Sequence, residues 1–129
     1  KKLVPYIRDH GVRVFVDTDG DVTKMIPWLQ RAGVQGVLPL ERQAGVDANR
    51  LRADHPDLMM LGHFDKMCMP RGETAMRAEF ERLLPVMRSG GFIAGVDHQT
   101  PPSVSLENYR VFLKLFREYA RLAADGGTV

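Results

Sequence analysis

The chain has 129 residues, 44% hydrophobic and 26% charged, which is the make-up of one folded domain and not of a disordered or fibrous chain. Lysine and arginine number 18 against 16 aspartates and glutamates, a formal net charge of +2 with the signs interleaved, so nothing calls for a nucleic acid or an anionic membrane surface as partner. No apolar run approaches the roughly 20 residues of a membrane helix and the N-terminus lacks the apolar core of a signal peptide, which makes a cytoplasmic location the expectation. The single cysteine, Cys68, excludes an internal disulfide framework and a multi-cysteine zinc site, so a metal would need carboxylates and histidine.

In chain order, a helix is expected at about residues 1–10, followed by a strand at 12–16. Val22, Met25, Ile26 and Leu29 then fall on one helical face, with Asp21 placed to cap it. A strand at 35–38 leads to a third helical stretch, and another at 58–61 precedes a helix carrying Met76, Phe80, Leu83, Leu84 and Met87 on one face. The last strand spans 92–96. The last helix spans about 105–124, with Ser105 as N-cap and a core stripe of Leu106, Tyr109, Phe112, Leu113, Phe116 and Tyr119. Gly33, Gly45 and the pair Gly90-Gly91 fall where helices end or the chain turns.

The strands are apolar on both faces apart from Arg13 and Gln35, which predicts a parallel sheet covered by helices. A helix followed by four strand–helix units implies right-handed crossovers. Two architectures satisfy this: a small open doubly wound sheet, or four consecutive units of a (β/α)8 barrel, of which a complete example takes about 250 residues.

Each strand runs into polar residues at its C-terminal end: Asp17, Thr18, Asp19, Gly20 and Asp21; then Glu41; then His63, Asp65 and Lys66; then Asp97 and His98. In both architectures those ends converge on the rim where parallel α/β proteins bind ligands. Alternation puts Phe15, Asp17 and Asp19 on one side, Glu41 with Val37 and Pro39, His63 with Asp65, and Val96 with His98. Asp17 and Asp19 lie too early to cap the second helix and Glu41 is a poor cap, so lining a site and lying on a plain surface both stay open for them. His98 precedes the loop Gln99-Thr100-Pro101-Pro102, a setting for proton transfer or metal ligation rather than packing. His63 is either a contact to substrate or the neighbour of a surface pair between Asp65 and Lys66. His10 and His55 read as solvated residues at helix ends, and Cys68, between Met67 and Met69, as a partly buried thiol.

The ordered set Val16-Asp17-Thr18-Asp19-Gly20-Asp21, Gly36-Val37-Leu38-Pro39-Leu40-Glu41 with Ala44-Gly45-Val46-Asp47, Gly62-His63-Phe64-Asp65-Lys66, and Gly90-Gly91-Phe92-Ile93-Ala94-Gly95-Val96-Asp97-His98 with Pro101-Pro102 and Glu107-Asn108-Tyr109 resembles the C-terminal half of the uroporphyrinogen decarboxylase superfamily. The resemblance implies that residues 1–129 form a single half-barrel domain, a parallel (β/α)4 half of a TIM-type barrel with an additional N-terminal helix. It also implies one of two reaction classes: cofactor-free decarboxylation of a tetrapyrrole, or cobamide-linked methyl transfer in which zinc activates a thiol. The methyltransferases place a histidine and a cysteine where this chain has Asp17 and Asp19, and a second cysteine near His98, so the thiol-rich zinc site is absent. The decarboxylases draw arginines and an aspartate from their N-terminal half, which has no counterpart here, while their C-terminal histidine corresponds to His98.

The resulting assignments are His98, Asp17 and Asp19 as catalytic groups, Glu41, His63 and Lys66 as substrate contacts, and Glu41 with His98 as the pair to hold a divalent metal such as zinc. Decarboxylation would need no cofactor. Only Lys66, Arg42 and Arg71 are available in these loops to meet anionic propionates, which favours a chain inactive alone, or differently active, over a tetrapyrrole lyase. A half-barrel exposes one sheet face and two strand edges, so a homodimer is expected, with 12–16 of one copy near 92–96 of the other.

Overall fold

The computed structural model describes residues 3–126. Helix α1 (Leu3–Asp9) leads into β1 (Phe15–Thr18), α2 (Ile26–Arg31), β2 (Gly36–Pro39), α3 (Ala48–Asp54), β3 (Met59–Leu61), α4 (Glu73–Arg88), β4 (Phe92–Ile93) and α5 (Leu106–Asp125). Ser105 Oγ accepts the Asn108 N–H at 3.1 Å and caps α5, whereas Asp21 does not cap α2: it accepts the Thr23 N–H at 2.9 Å, ahead of a short 3-10 turn at Thr23–Met25, and α2 begins only at Ile26. None of these helices is long and apolar enough to cross a membrane.

The four strands form one parallel sheet in the order β1-β2-β3-β4. A doubly wound sheet reverses direction at a switch point. Here every crossover returns to the next position on the same side, which is the order of a half (β/α) barrel, and the barrel is not closed. The strands are shorter than the apolar runs that encode them: 12–14 precede β1, and beyond β4 the ladder continues only as a bridge between Phe64 and Val96.

The helix side of the sheet is a packed core. Phe80 of α4 lies between Phe64 and Tyr119, with ring centroids 4.5 and 5.2 Å away, and Phe112 of α5 closes on Phe64 at 4.9 Å. Met76, Leu83 and Leu115 are fully buried around them. The other face is open, as a half-barrel implies, and is not covered on both sides as the apolar strand faces alone suggest. Phe15 and Asp17 are exposed while Val16 and Thr18, which alternate with them, are partly covered, and Ile93 is 56% exposed, because the four remaining strands of a barrel would lie over that face.

Gly62 sets how closely the ends of β2 and β3 meet. Its φ is +107°, and a Cβ there would collide with the Pro39 carbonyl, which accepts the His63 N–H at 2.8 Å. Gly62→Ala is therefore expected to destabilise the fold by about 2 to 4 kcal/mol in urea denaturation, whereas a loss below about 0.5 kcal/mol would show that the strand ends can separate.

Candidate functional site

The C-terminal ends of β1, β2 and β4 deliver three polar side chains to one point. His98 Nδ1 lies 3.5 Å from Glu41 Oε1 and 3.7 Å from Asp19 Oδ1, and one ligand atom from each of the three residues lies within 4.8 Å of the others. Glu41 is held: its other oxygen accepts the Gly20 N–H at 2.6 Å. Side-chain exposure falls from 78% for Asp19 through 38% for His98 to 23% for Glu41. In such a wet setting the ion pairs themselves contribute at most about 1 kcal/mol, so they do not explain the arrangement as a stabilising device. With His98 neutral the cluster carries two negative charges. Two carboxylate oxygens and an imidazole nitrogen at this spacing suit a divalent ion such as Zn2+, with positions left for an external ligand.

Beside the cluster a cleft of about 350 Å³ runs down the open face. Asp17 and His98 edge it, and Leu38, Pro39, Leu61 and Val96 make it apolar. Asp17 thus lies next to the three-residue group rather than inside it. Among the described residues, no arginine lines the cleft. The Arg42 guanidinium turns to the Val46 carbonyl at 3.4 Å, and Arg82 is paired with Glu79 at 2.6 Å.

His63 and Lys66 do not join the cluster. His63 has no exposed surface; its Nδ1 is 2.9 Å from the Leu40 carbonyl and its Nε2 3.2 Å from the Ala48 N–H. A carbonyl can only accept and an amide only donate, so the ring is the neutral Nδ1–H tautomer. Burial holds its pKa below the ordinary histidine value. Lys66 Nζ lies 3.7 Å from Asp97 and not against Asp65, whose carboxylate caps the following turn at Met67 N–H, 2.8 Å away, and accepts from Gln43 at 2.6 Å. Cys68 is buried and its thiol is pushed up to about 12 by desolvation, so it stays protonated.

Asp97, one of the strand-end polar residues, is assigned no role by the sequence reading. It is fully buried and accepts the Arg42 N–H at 2.9 Å and the Lys66 N–H at 3.4 Å. The signal was alternation: with Val96 and His98 on the open side, Asp97 must point the other way, toward the helices.

The Uroporphyrinogen decarboxylase (URO-D) family profile matches residues 1–119. The chain belongs to the uroporphyrinogen decarboxylase family. No curated protein and no solved structure matches it. A URO-D half-barrel thus carries the Asp19–Glu41–His98 cluster on the rim of its sheet.

The buried His63 is expected to make this URO-D domain acid-sensitive. Its folded pKa lies below the unfolded value of about 6.5, so the unfolded chain binds more protons and stability falls as pH drops through about 6.5. The thermal midpoint should decline between about pH 7.5 and about pH 5.5, and His63→Gln, whose amide can donate to Leu40 and accept from Ala48, should flatten that decline. A profile unchanged by the substitution would assign the acid sensitivity to other groups.

Proposed function

We propose that this URO-D domain contributes the cation-binding half of a methyltransferase-type active site. The reading rests on one observation, the convergence of Asp19, Glu41 and His98 within 4.8 Å on a rim where, among the described residues, no arginine lines the adjoining cleft. A tetrapyrrole bearing several carboxylates needs guanidinium or ammonium partners, and of the three cations in these loops Lys66 is tied to Asp97, the Arg42 guanidinium turns to Val46, and Arg71 does not line the cleft. The apolar cleft wall of Leu38, Pro39, Leu61 and Val96 instead suits an uncharged methyl donor. Asp19, Glu41 and His98 supply oxygen and nitrogen donors in place of the thiolates of the related zinc sites. A divalent cation held there would favour the thiolate form of a thiol acceptor and so make it nucleophilic at neutral pH. Asp17, at the cleft edge, is placed to accept a proton from a bound group.

The reading also needs an opposite wall for the mouth. The chain exposes 7857 Å², against about 6,900 Å² for a compact monomer of its mass. The excess is comparable to one side of an ordinary interface, about 800 Å². A second copy placed with its β1 edge along β4 would extend the parallel ladder and, repeated by a twofold axis, close eight strands.

Titration calorimetry of the chelated protein with Zn2+ or Co2+ tests the site. One equivalent is expected to bind, with binding lost in Glu41→Ala and His98→Ala and weakened in Asp19→Ala; wild-type protein that takes up no cation overturns the reading. Light scattering is expected to give about twice 14.5 kDa, and a monomer mass would remove the second-copy wall. Incubation with uroporphyrinogen separates the reaction classes, since formation of coproporphyrinogen would assign the domain to decarboxylation.

A further inference from the structure

We propose that His63 and Asp97 are positioning residues that hold Glu41 in its ligating orientation by clamping the backbone on either side of it. The inference rests on the cation-site reading above for its functional meaning, but its geometry is independent of any ion.

Glu41 sits between Leu40 and Arg42, and each neighbour is fixed by a buried side chain from another strand end. The Leu40 carbonyl accepts from His63 Nδ1 at 2.9 Å, and the Arg42 N–H donates to Asp97 Oδ2 at 2.9 Å. Neither His63 nor Asp97 has exposed surface, so water cannot substitute for either bond. Leu40 has φ +62°, a conformation that a leucine adopts only when its surroundings enforce it. His63 itself has φ +68°, which turns its ring beneath the loop after β2. Its Nε2 is anchored in turn by the Ala48 N–H, the first residue of α3. With its two flanking peptides immobilised, Glu41 retains mainly side-chain freedom, and the Gly20 N–H at 2.6 Å removes much of that. Asp97 also precedes His98 directly, so one buried carboxylate fixes the backbone beneath two of the three donors. Such supporting groups around a metal site typically change affinity by about 10- to 100-fold when removed.

The Gly20 amide reports the orientation of Glu41 without any metal. It lies in the loop after β1, and neither His63 nor Asp97 bonds to it. In the metal-free, full-length chain, heteronuclear NMR should show the Gly20 amide proton shifted downfield and protected from exchange, and Glu41→Ala should abolish both. His63→Ala and Asp97→Ala are expected to produce the same loss at Gly20 while far-UV circular dichroism stays native. His63→Gln, which keeps a donor to Leu40 and an acceptor for Ala48, should restore it, and Asp97→Asn, whose single amide oxygen can still accept the Arg42 N–H but leaves the Lys66 N–H without an acceptor, should restore it in part. Zn2+ affinity should fall about 10- to 100-fold in the two alanine variants with all three ligands intact, and recover in the conservative pair. If an alanine variant fails to fold, His63→Asn, which retains the bond to Leu40 but is too short for Ala48, and Asp97→Ser should give intermediate shifts. An unaltered Gly20 resonance in folded variants overturns the positioning role, whatever the metal titrations give. Wild-type protein that shows the Gly20 pattern but binds no cation overturns the site reading and leaves the clamp on Glu41 standing.

Discussion

A carboxylate with no exposed surface must find donors inside the protein, because its desolvation costs several kcal/mol even after relaxation. Asp97 meets that demand with the Arg42 N–H, the Lys66 N–H and the Lys66 ammonium. Those donors come from the loops after β2 and β3, while Asp97 itself follows β4. Satisfying one buried charge therefore fixes three of the four rim loops against one another. The exposed pairs among Asp19, Glu41 and His98 have the opposite character. They contribute little to folding, so their side chains remain available to a ligand.

The rim stores conformational cost as well. Leu40 and His63 both have positive φ, and such non-glycine residues typically cost about 1 to 3 kcal/mol each. The layer beneath supports this. Phe64 immediately follows His63 and packs on Phe80 and Phe112, contacts worth about 0.5 to 1.5 kcal/mol per aromatic pair beyond the area they bury. The helix-side core is thus linked through one peptide to the residue that orients the loop after β2. Gly62, on the other side of His63, admits the Pro39 carbonyl, so the same segment serves both contacts.

Much of this was readable from residue spacing. The helical stripes, the Ser105 cap and the alternation of strand and helix lead directly to a parallel sheet, and alternation within 15–19 correctly puts Phe15, Asp17 and Asp19 on one side. Spacing does not reveal whether an apolar run is covered on both faces, and β1, with Phe15 39% exposed, is the case where that mattered. Nor does it separate a histidine that meets ligand from one that supports the loop that does. His63 and His98 occupy similar positions after apolar strands, yet positive φ turns the first inward, and φ at a non-glycine residue leaves no mark in sequence. The partnership of Lys66 with Asp97 was equally hidden, because the two are 31 positions apart and Asp65 offered a nearer decoy.

The division of labour among the four strand ends follows from these contacts. β1, β2 and β4 each send one donor to the cluster, and β3 sends none; its histidine goes beneath the loop after β2. Among the donors, Glu41 is the least exposed and has both flanking peptides tied down, whereas Asp19 is 78% exposed and, among the described residues, its carboxylate pairs with His98. If the cluster holds a ligand as proposed, a set with one fixed member and one adjustable member would tolerate ligands of different size without disturbing the core, because the fixed member would define the position and the adjustable one absorb the difference. Three equally rigid donors would need their geometry correct to a fraction of an ångström from the outset. Three equally loose ones would lose side-chain entropy at every contact. The buried Asp97 and His63 place this URO-D half-barrel between those extremes, with rigidity concentrated in the backbone around Glu41 and the outer carboxylate of Asp19 left exposed to solvent.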